Sequence, residues 1–126
     1  HLSIRRQRQM CKETADILAI PDQLVVSAIN LIRLNAARPI SSEEVASKLT
    51  VSRRNLDQKF HRYLRRTLHE EINRVRIQKI TDTLRESNLS ITQIAYDYGF
   101  NGADHLCNFF IRHQGIPPGE YRRKFK

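Results

Sequence analysis

One pattern occurs twice in this 126-residue chain and limits what it can fold into. A serine followed three positions later by Glu or Gln opens a short apolar stretch, a tight turn follows, and a second stretch begins. Ser41-Ser42-Glu43-Glu44 starts the first copy and Ser90-Ile91-Thr92-Gln93 the second, 49 positions further on. Each reads as a capping box, in which the hydroxyl accepts from a first-turn N–H and the Glu or Gln side chain returns to the serine N–H. The first short helix is predicted through Leu49. Thr50–Val51 then makes a turn, and Ser52 caps a helix to about Leu64. In the second copy the short helix ends near Tyr98, Gly99 suits a left-handed cap, and a further helix covers about 103–113. No sustained period-2 alternation competes, so the chain reads as all-α.

The remaining elements fit around this repeat. Pro21–Asp22 offers a helix start, with Val25, Ala28, Ile29 and Ile32 at i, i+3, i+4 and i+7. That helix should stop before Arg38–Pro39, because a residue preceding proline avoids the α region. A long helix over about 68–86 connects the two copies. Leu68, Ile72 and Val75 centre on one direction, whereas Ile77, Ile80 and Leu84 point about 140° away at 3.6 residues per turn. A helix on a single core would keep one stripe; this one is expected to bury a face against each copy. Its length of about 28 Å is close to the ~34 Å of one DNA turn. Pro117–Pro118 opens a last short helix carrying Tyr121. The expected organisation is a tether over 1–20 bearing Arg5, Arg6, Arg8 and Lys12, a first unit over 21–67, a linker helix over 68–86, and a second unit over 87–126.

Charge narrows the function. Lys and Arg number 22 against 13 Asp and Glu, a formal charge of +9, which points to a polyanionic partner: nucleic acid or an anionic membrane surface. No apolar run approaches the roughly 18 residues of a membrane span. Cys11 and Cys107 are too few for a disulfide framework and are expected as thiols in a reducing cytosol. The chain opens at His1 and reads as a piece of a longer protein, with Met10 leaving a shorter start open. Catalysis is not expected. His105 and Cys107 lie about 200° apart on a helix, which rules against a nucleophile–base pair. Two Cys and scattered His lack metal-ligand spacing, and there is no Gly-rich phosphate loop, so neither metal nor cofactor is expected.

The helix over 52–64 divides by face. Leu56, Phe60, Tyr63 and Leu64 cluster on one side, with Arg54, Gln58 and His61 opposite, Asp57 at a border, and Lys59 and Arg62 at the flanks. Residues 51–66 carry six Lys and Arg against Asp57 alone. Arg pairs with guanine and Gln or Asn with adenine in the major groove, while neighbouring cations neutralise phosphates. A solvated surface helix has the same composition; the capped helix and turn before it favour DNA. On the helix over 103–113, Leu106, Phe109 and Phe110 form the dry side, and Asp104, Cys107, Asn108 and Ile111 face away. Phe60, Phe100, Phe109, Phe110 and Tyr121 share faces with Leu and Ile and read as core. Arg122, Arg123, Lys124 and Lys126 read as a solvated face, and Glu70–Glu71 as charge favoured by the helix dipole.

The stretch Ile94-Ala95, Gly99-Phe100, Leu106, Phe110 and Gly115-Ile116-Pro117-Pro118-Gly119-Glu120-Tyr121-Arg122 resembles the C-terminal signature of AraC/XylS-type transcription regulators. Val45-Ala46, Val51-Ser52, Leu56 and Phe60, followed by Arg76, resemble its partner motif. The resemblance covers about 22–125. It implies seven helices in two helix-turn-helix subdomains joined by a long helix, and double-stranded DNA as partner, met in two successive major grooves. On the family's pattern the base-reading positions fall on Arg53, Arg54, Asp57 and Gln58, then on Ala103, Asp104, Cys107 and Asn108. Ser52, Asn55, Lys59, Arg62 and Arg112 are candidate phosphate or secondary contacts. This chain departs from the pattern in having Arg65 for the usual Gly, Leu68 for Pro, and Asp104 and Asn108 where Ser or Gln and Arg are common. Thr14-Ala15-Asp16-Ile17-Leu18-Ala19-Ile20 and His69-Glu70-Glu71-Ile72 resemble regulators of the xylose-operon type. There a sugar-sensing domain precedes the DNA-binding one, which would supply sugar binding and dimerisation. A cytoplasmic, nucleoid-associated location follows, and exposed Arg or Asp on the second motif is open to RNA polymerase. The rival readings are a DNA-binding segment of a recombinase or transposase and a helical protein-interaction module.

Overall fold

The computed structural model describes residues 21–126, so the expected tether over 1–20 and Cys11 lie outside the described residues. Among the described residues there are seven helices and no strand: α1 Gln23–Asn35, α2 Ser42–Lys48, α3 Arg53–Leu64, α4 Leu68–Glu86, α5 Ile91–Asp97, α6 Ala103–Gln114 and α7 Pro118–Phe125. None is long and apolar enough to cross a membrane.

The helix starts are set by short polar side chains. Asp22, Ser41, Ser52, Thr67 and Ser90 each accept a first-turn N–H, at 2.9–3.1 Å. The two boxes expected at Ser41 and Ser90 are only half formed. The Glu44 carboxylate turns to Arg38 and lies 3.8 Å from Lys48, and the Gln93 amide donates to Asp97 at 2.8 Å. In each box an oppositely charged or hydrogen-bonding side chain nearby takes the carboxylate or amide in place of the serine N–H. The complete box is at α4, where Thr67 N–H donates to Glu70 at 3.0 Å and Glu70 N–H to the Thr67 hydroxyl at 3.1 Å. Glu70 is therefore a cap as well as a favourable charge.

Two apolar clusters form. The first gathers Val25, Ala28, Ile29, Ile32, Val45, Leu56 and Phe60 with Leu68, Ile72 and Val75 of α4. The second gathers Ile94, Ala95, Phe100, Leu106 and Phe110 with Ile77, Ile80 and Leu84 of the same helix. The stripe of α4 thus changes direction between Val75 and Ile77, as its periodicity predicts. Phe60 and Phe110 are wholly buried, and Phe109 and Tyr121 pack at the edge of the second cluster, so these aromatics serve as core.

The basic C-terminus does more than face solvent. Arg122 Nε donates to the Leu84 carbonyl at 3.1 Å, and Lys126 Nζ donates to the Ser87 carbonyl at 3.0 Å and to the Asn88 side chain. Cations placed on the unpaired carbonyls that end α4 satisfy them and complement the negative end of its dipole.

Candidate nucleic-acid interface

In both copies a left-handed residue makes the turn between the short helix and the longer one. Thr50 has φ 55° and Gly99 has φ 82°. The next N–H reaches back five residues, Val51 to the Ala46 carbonyl at 3.1 Å and Phe100 to the Ala95 carbonyl at 2.8 Å. These turns aim α3 and α6 away from the helices before them. Both helices then end in left-handed residues, Arg65 at φ 61° and Gly115 at φ 83°. The same backbone is used in each copy, with glycine in the second and a side-chain-bearing residue in the first.

The dry side of α3 is Leu56 and Phe60, both fully buried, with Tyr63 and Leu64 half-buried beside them. Arg54, Asn55, Gln58 and His61 are exposed on the outer side. Among the described residues neither the Arg54 nor the Gln58 side chain makes a hydrogen bond or ion pair. Arg53 is exposed but engaged, donating to Glu43 at 2.5 Å with its Nε 3.5 Å from Asp57. Asp57, expected at a base edge, has its carboxylate committed within the protein. Its Oδ1 accepts the Leu68 N–H at 3.0 Å while Oδ2 faces Arg53. Leu68 can supply that N–H because it is not proline. Lys59, expected near phosphates, donates to the Asp22 cap of α1 at 2.6 Å and holds its carboxyl below the usual range. Arg62 is exposed, its guanidinium 5.6 Å from the Tyr63 ring centroid.

On α6, Leu106 and Phe110 are fully buried, and Asp104, Asn108, Ile111 and Arg112 are exposed. Ala103 and Cys107 are half-buried between these faces. Burial, then the Asp104 carboxylate, pushes the Cys107 thiol up from its ordinary value. Gly102 stands at the cap in place of Ser52, with no side chain to take up the first N–H groups. The N-terminal amides of α6 are therefore not consumed by a cap side chain.

The outward faces of α3 and α6 are both open to solvent, so the two helices are not buried against each other. Arg66 just after α3 and His113 and Gln114 ending α6 line one cleft of about 380 Å³ against Asn73, Arg74 and Gln78 of α4. Beneath it, Glu71 is 1% exposed and accepts from Arg66 at 2.5 Å and from Arg74 at 2.9 and 3.0 Å. Burial pushes the Glu71 carboxyl up, but the Arg74 and Arg66 guanidiniums outweigh it and leave it below its ordinary value. Glu71 and Arg74 are an i,i+3 pair on α4, but neither the Arg66 contact nor the Asp57 contact carried a local sequence signal.

Two turn-linked helix pairs, each presenting a polar outer face and held by one shared helix, have the architecture of a DNA-binding module. A family model described as a helix-turn-helix domain matches residues 45–124. The chain is 27% identical over 111 residues to a xylose operon regulatory protein of Haemophilus influenzae, covering 88% of this chain and 29% of that relative's length. It is also similar to the solved structure of a xylose-binding transcription activator, with 26% identity, a TM-score of 0.74, and coverage of 84% of this chain and 28% of the other. A third likeness is to an AraC-type regulator structure from Chromobacterium violaceum, with 27% identity, a TM-score of 0.73, and coverage of 81% and 91%. The chain belongs to the AraC-type helix-turn-helix family and is a DNA-binding domain of a transcription regulator.

Proposed function

We propose that the domain reads double-stranded DNA through α3 and α6 in two successive major grooves. Arg54 and Gln58 read bases directly, and Arg53 joins them once it leaves Glu43. Asp57 acts through Arg53 by holding one edge of its guanidinium, and it also fixes the start of α4. In the second motif Ala103, Asp104, Cys107 and Asn108 face the bases. Ser52, Asn55, Arg62 and Arg112 lie where phosphates would flank the groove, while Lys59 contributes through the field of the helix. The observation that carries this reading is the outer face of α3: two side chains suited to base edges, exposed and without partners among the described residues, set among basic residues.

The chain spans 29% of the length of the xylose operon regulator it matches. Similarity to xylose regulators in both sequence and structure supports a place in a longer, sugar-responsive protein. Sugar binding and dimerisation would then reside outside this chain, RNA polymerase would meet the exposed side of the second motif, and the protein would act on DNA in the cytoplasm. Selection of bound duplexes from a random pool tests the DNA reading. Two preferred blocks about one turn (~10.5 base pairs) apart are expected. A single block would confine base reading to α3, and no enrichment would overturn the proposal.

A further inference from the structure

Arg76 lies where the apolar stripe of α4 changes direction, between Val75 of the first cluster and Ile77 of the second. It is 7% exposed. Its Nε donates to the Ala36 carbonyl at 3.2 Å, and its Nη2 donates to the Tyr98 carbonyl. Ala36 caps the C-terminus of α1 and Tyr98 that of α5. One guanidinium therefore joins the negative ends of two helix dipoles, one from each half of the molecule. The guanidinium carbon also lies 4.9 Å from the Phe100 ring centroid and 5.9 Å from that of Phe109. Among the described residues no carboxylate pairs with it. Burial lowers the affinity of Arg76 for its proton, while two carbonyl dipoles and two aromatic faces compensate the charge.

A second contact lies beside it. Gly99, in the turn of the second motif, sits so close to Pro39 of the first that a β-carbon there would come within 2.3 Å of the proline Cδ. Among the described residues the halves thus also touch away from α4, at Pro39 and Gly99, while Arg76 of α4 hydrogen-bonds to both halves. Its planar fork spans two carbonyls that a compact ammonium cannot hold together.

We propose that Arg76 is a positioning residue that fixes the orientation of α3 relative to α6, and so the separation of half-sites that the domain accepts. The proposal rests on the reading that both motifs enter DNA. One added base pair moves a half-site by about 3.4 Å and rotates it by about 34°, which a rigid pair of helices cannot follow. A loosened pair can.

The test uses the full chain and the duplex chosen from the random pool, with zero, one or two base pairs inserted or removed between its two blocks. Arg76→Lys is the principal variant and Arg76→Met the second, each checked for helicity and a cooperative melt. The wild-type protein should lose about tenfold or more in affinity per step away from its optimum, on the scale of one mismatched contact. The variants should lose about threefold or less, so the ratio between spacings collapses. A structural loss alone would lower affinity by the same factor at every spacing, and that result overturns the assignment. So does a variant profile as sharp as the wild type. If the wild type itself is indifferent to spacing, the two-motif reading falls and the role of Arg76 with it.

Discussion

Arg65 ends α3 in a conformation that favours glycine, with φ 61° and ψ 28°. A β-carbon in the left-handed region costs roughly 1–2 kcal/mol through its approach to the following carbonyl. Glycine avoids that cost but gives up about 0.5–1 kcal/mol of unfolded-state entropy. The exposed Arg65 side chain also contributes a few tenths of a kcal/mol as a cation at a helix C-terminus. Comparing Arg65→Gly with Arg65→Ala cancels the charge and isolates the backbone effect. Arg65→Gly should be the more stable of the two by about 0.5–1 kcal/mol, or roughly 2–6 °C in Tm for a domain of this size. The opposite experiment is available in the second motif. A β-carbon added at Gly115 meets nothing within 4 Å, so Gly115→Ala should cost a similar amount through φ 83° alone. Urea and thermal unfolding followed by circular dichroism measure both. If Arg65→Gly were no more stable than Arg65→Ala, the reasoning about this turn would be refuted.

Arg54→Ala should weaken binding to the selected duplex by about 1–3 kcal/mol and relax preference at one base pair. An equal loss on all duplexes would instead make Arg54 a phosphate contact. Glu71 is held below its ordinary range in the folded state, so its stabilisation is complete above an unfolded pKa of about 4.3 and disappears as pH falls through the depressed folded value. Glu71→Gln should cost about 1.5–3 kcal/mol at pH 7, with the gap to wild type closing below about pH 4; a constant gap across that window would remove the ion triad as its source. Cys107, in a Cys11→Ser background, should react slowly with a thiol reagent at neutral pH, because its thiol is pushed up. Saturation with the selected duplex should slow it further, and an unchanged rate would place Cys107 outside the groove.

What the sequence disclosed was local. Helix starts at Ser41, Ser52 and Ser90 were legible because a hydroxyl and its N–H partner lie three residues apart. The divided stripe of α4 was legible because 3.6-residue periodicity assigns directions without knowledge of neighbours. Partners distant in the chain were not. Lys59 meets Asp22 across 37 residues and Arg122 meets Leu84 across 38, contacts that no local pattern announces. Asp57 shows the same limit within the candidate site. Family pattern placed it at a base edge, but the N–H that engages it exists only because Leu68 is not proline. The complete box at the start of α4 is hidden for a different reason: Thr67 and Glu70 have the right spacing, but the dipole alone also accounts for Glu70.

The bend in the stripe of α4 also marks a seam at which relatives could exchange halves. Each hydrophobic nucleus travels whole with its own portion of the spacer, and the groups that Arg76 grasps are main-chain oxygens, which every sequence presents. Apart from the glycine facing Pro39 and the Phe100 and Phe109 rings beside Arg76, the joint asks little of side-chain identity across it. A chimaera cut there should keep one parent's preference at one DNA block and take the other parent's at the next, letting operator recognition diversify one block at a time.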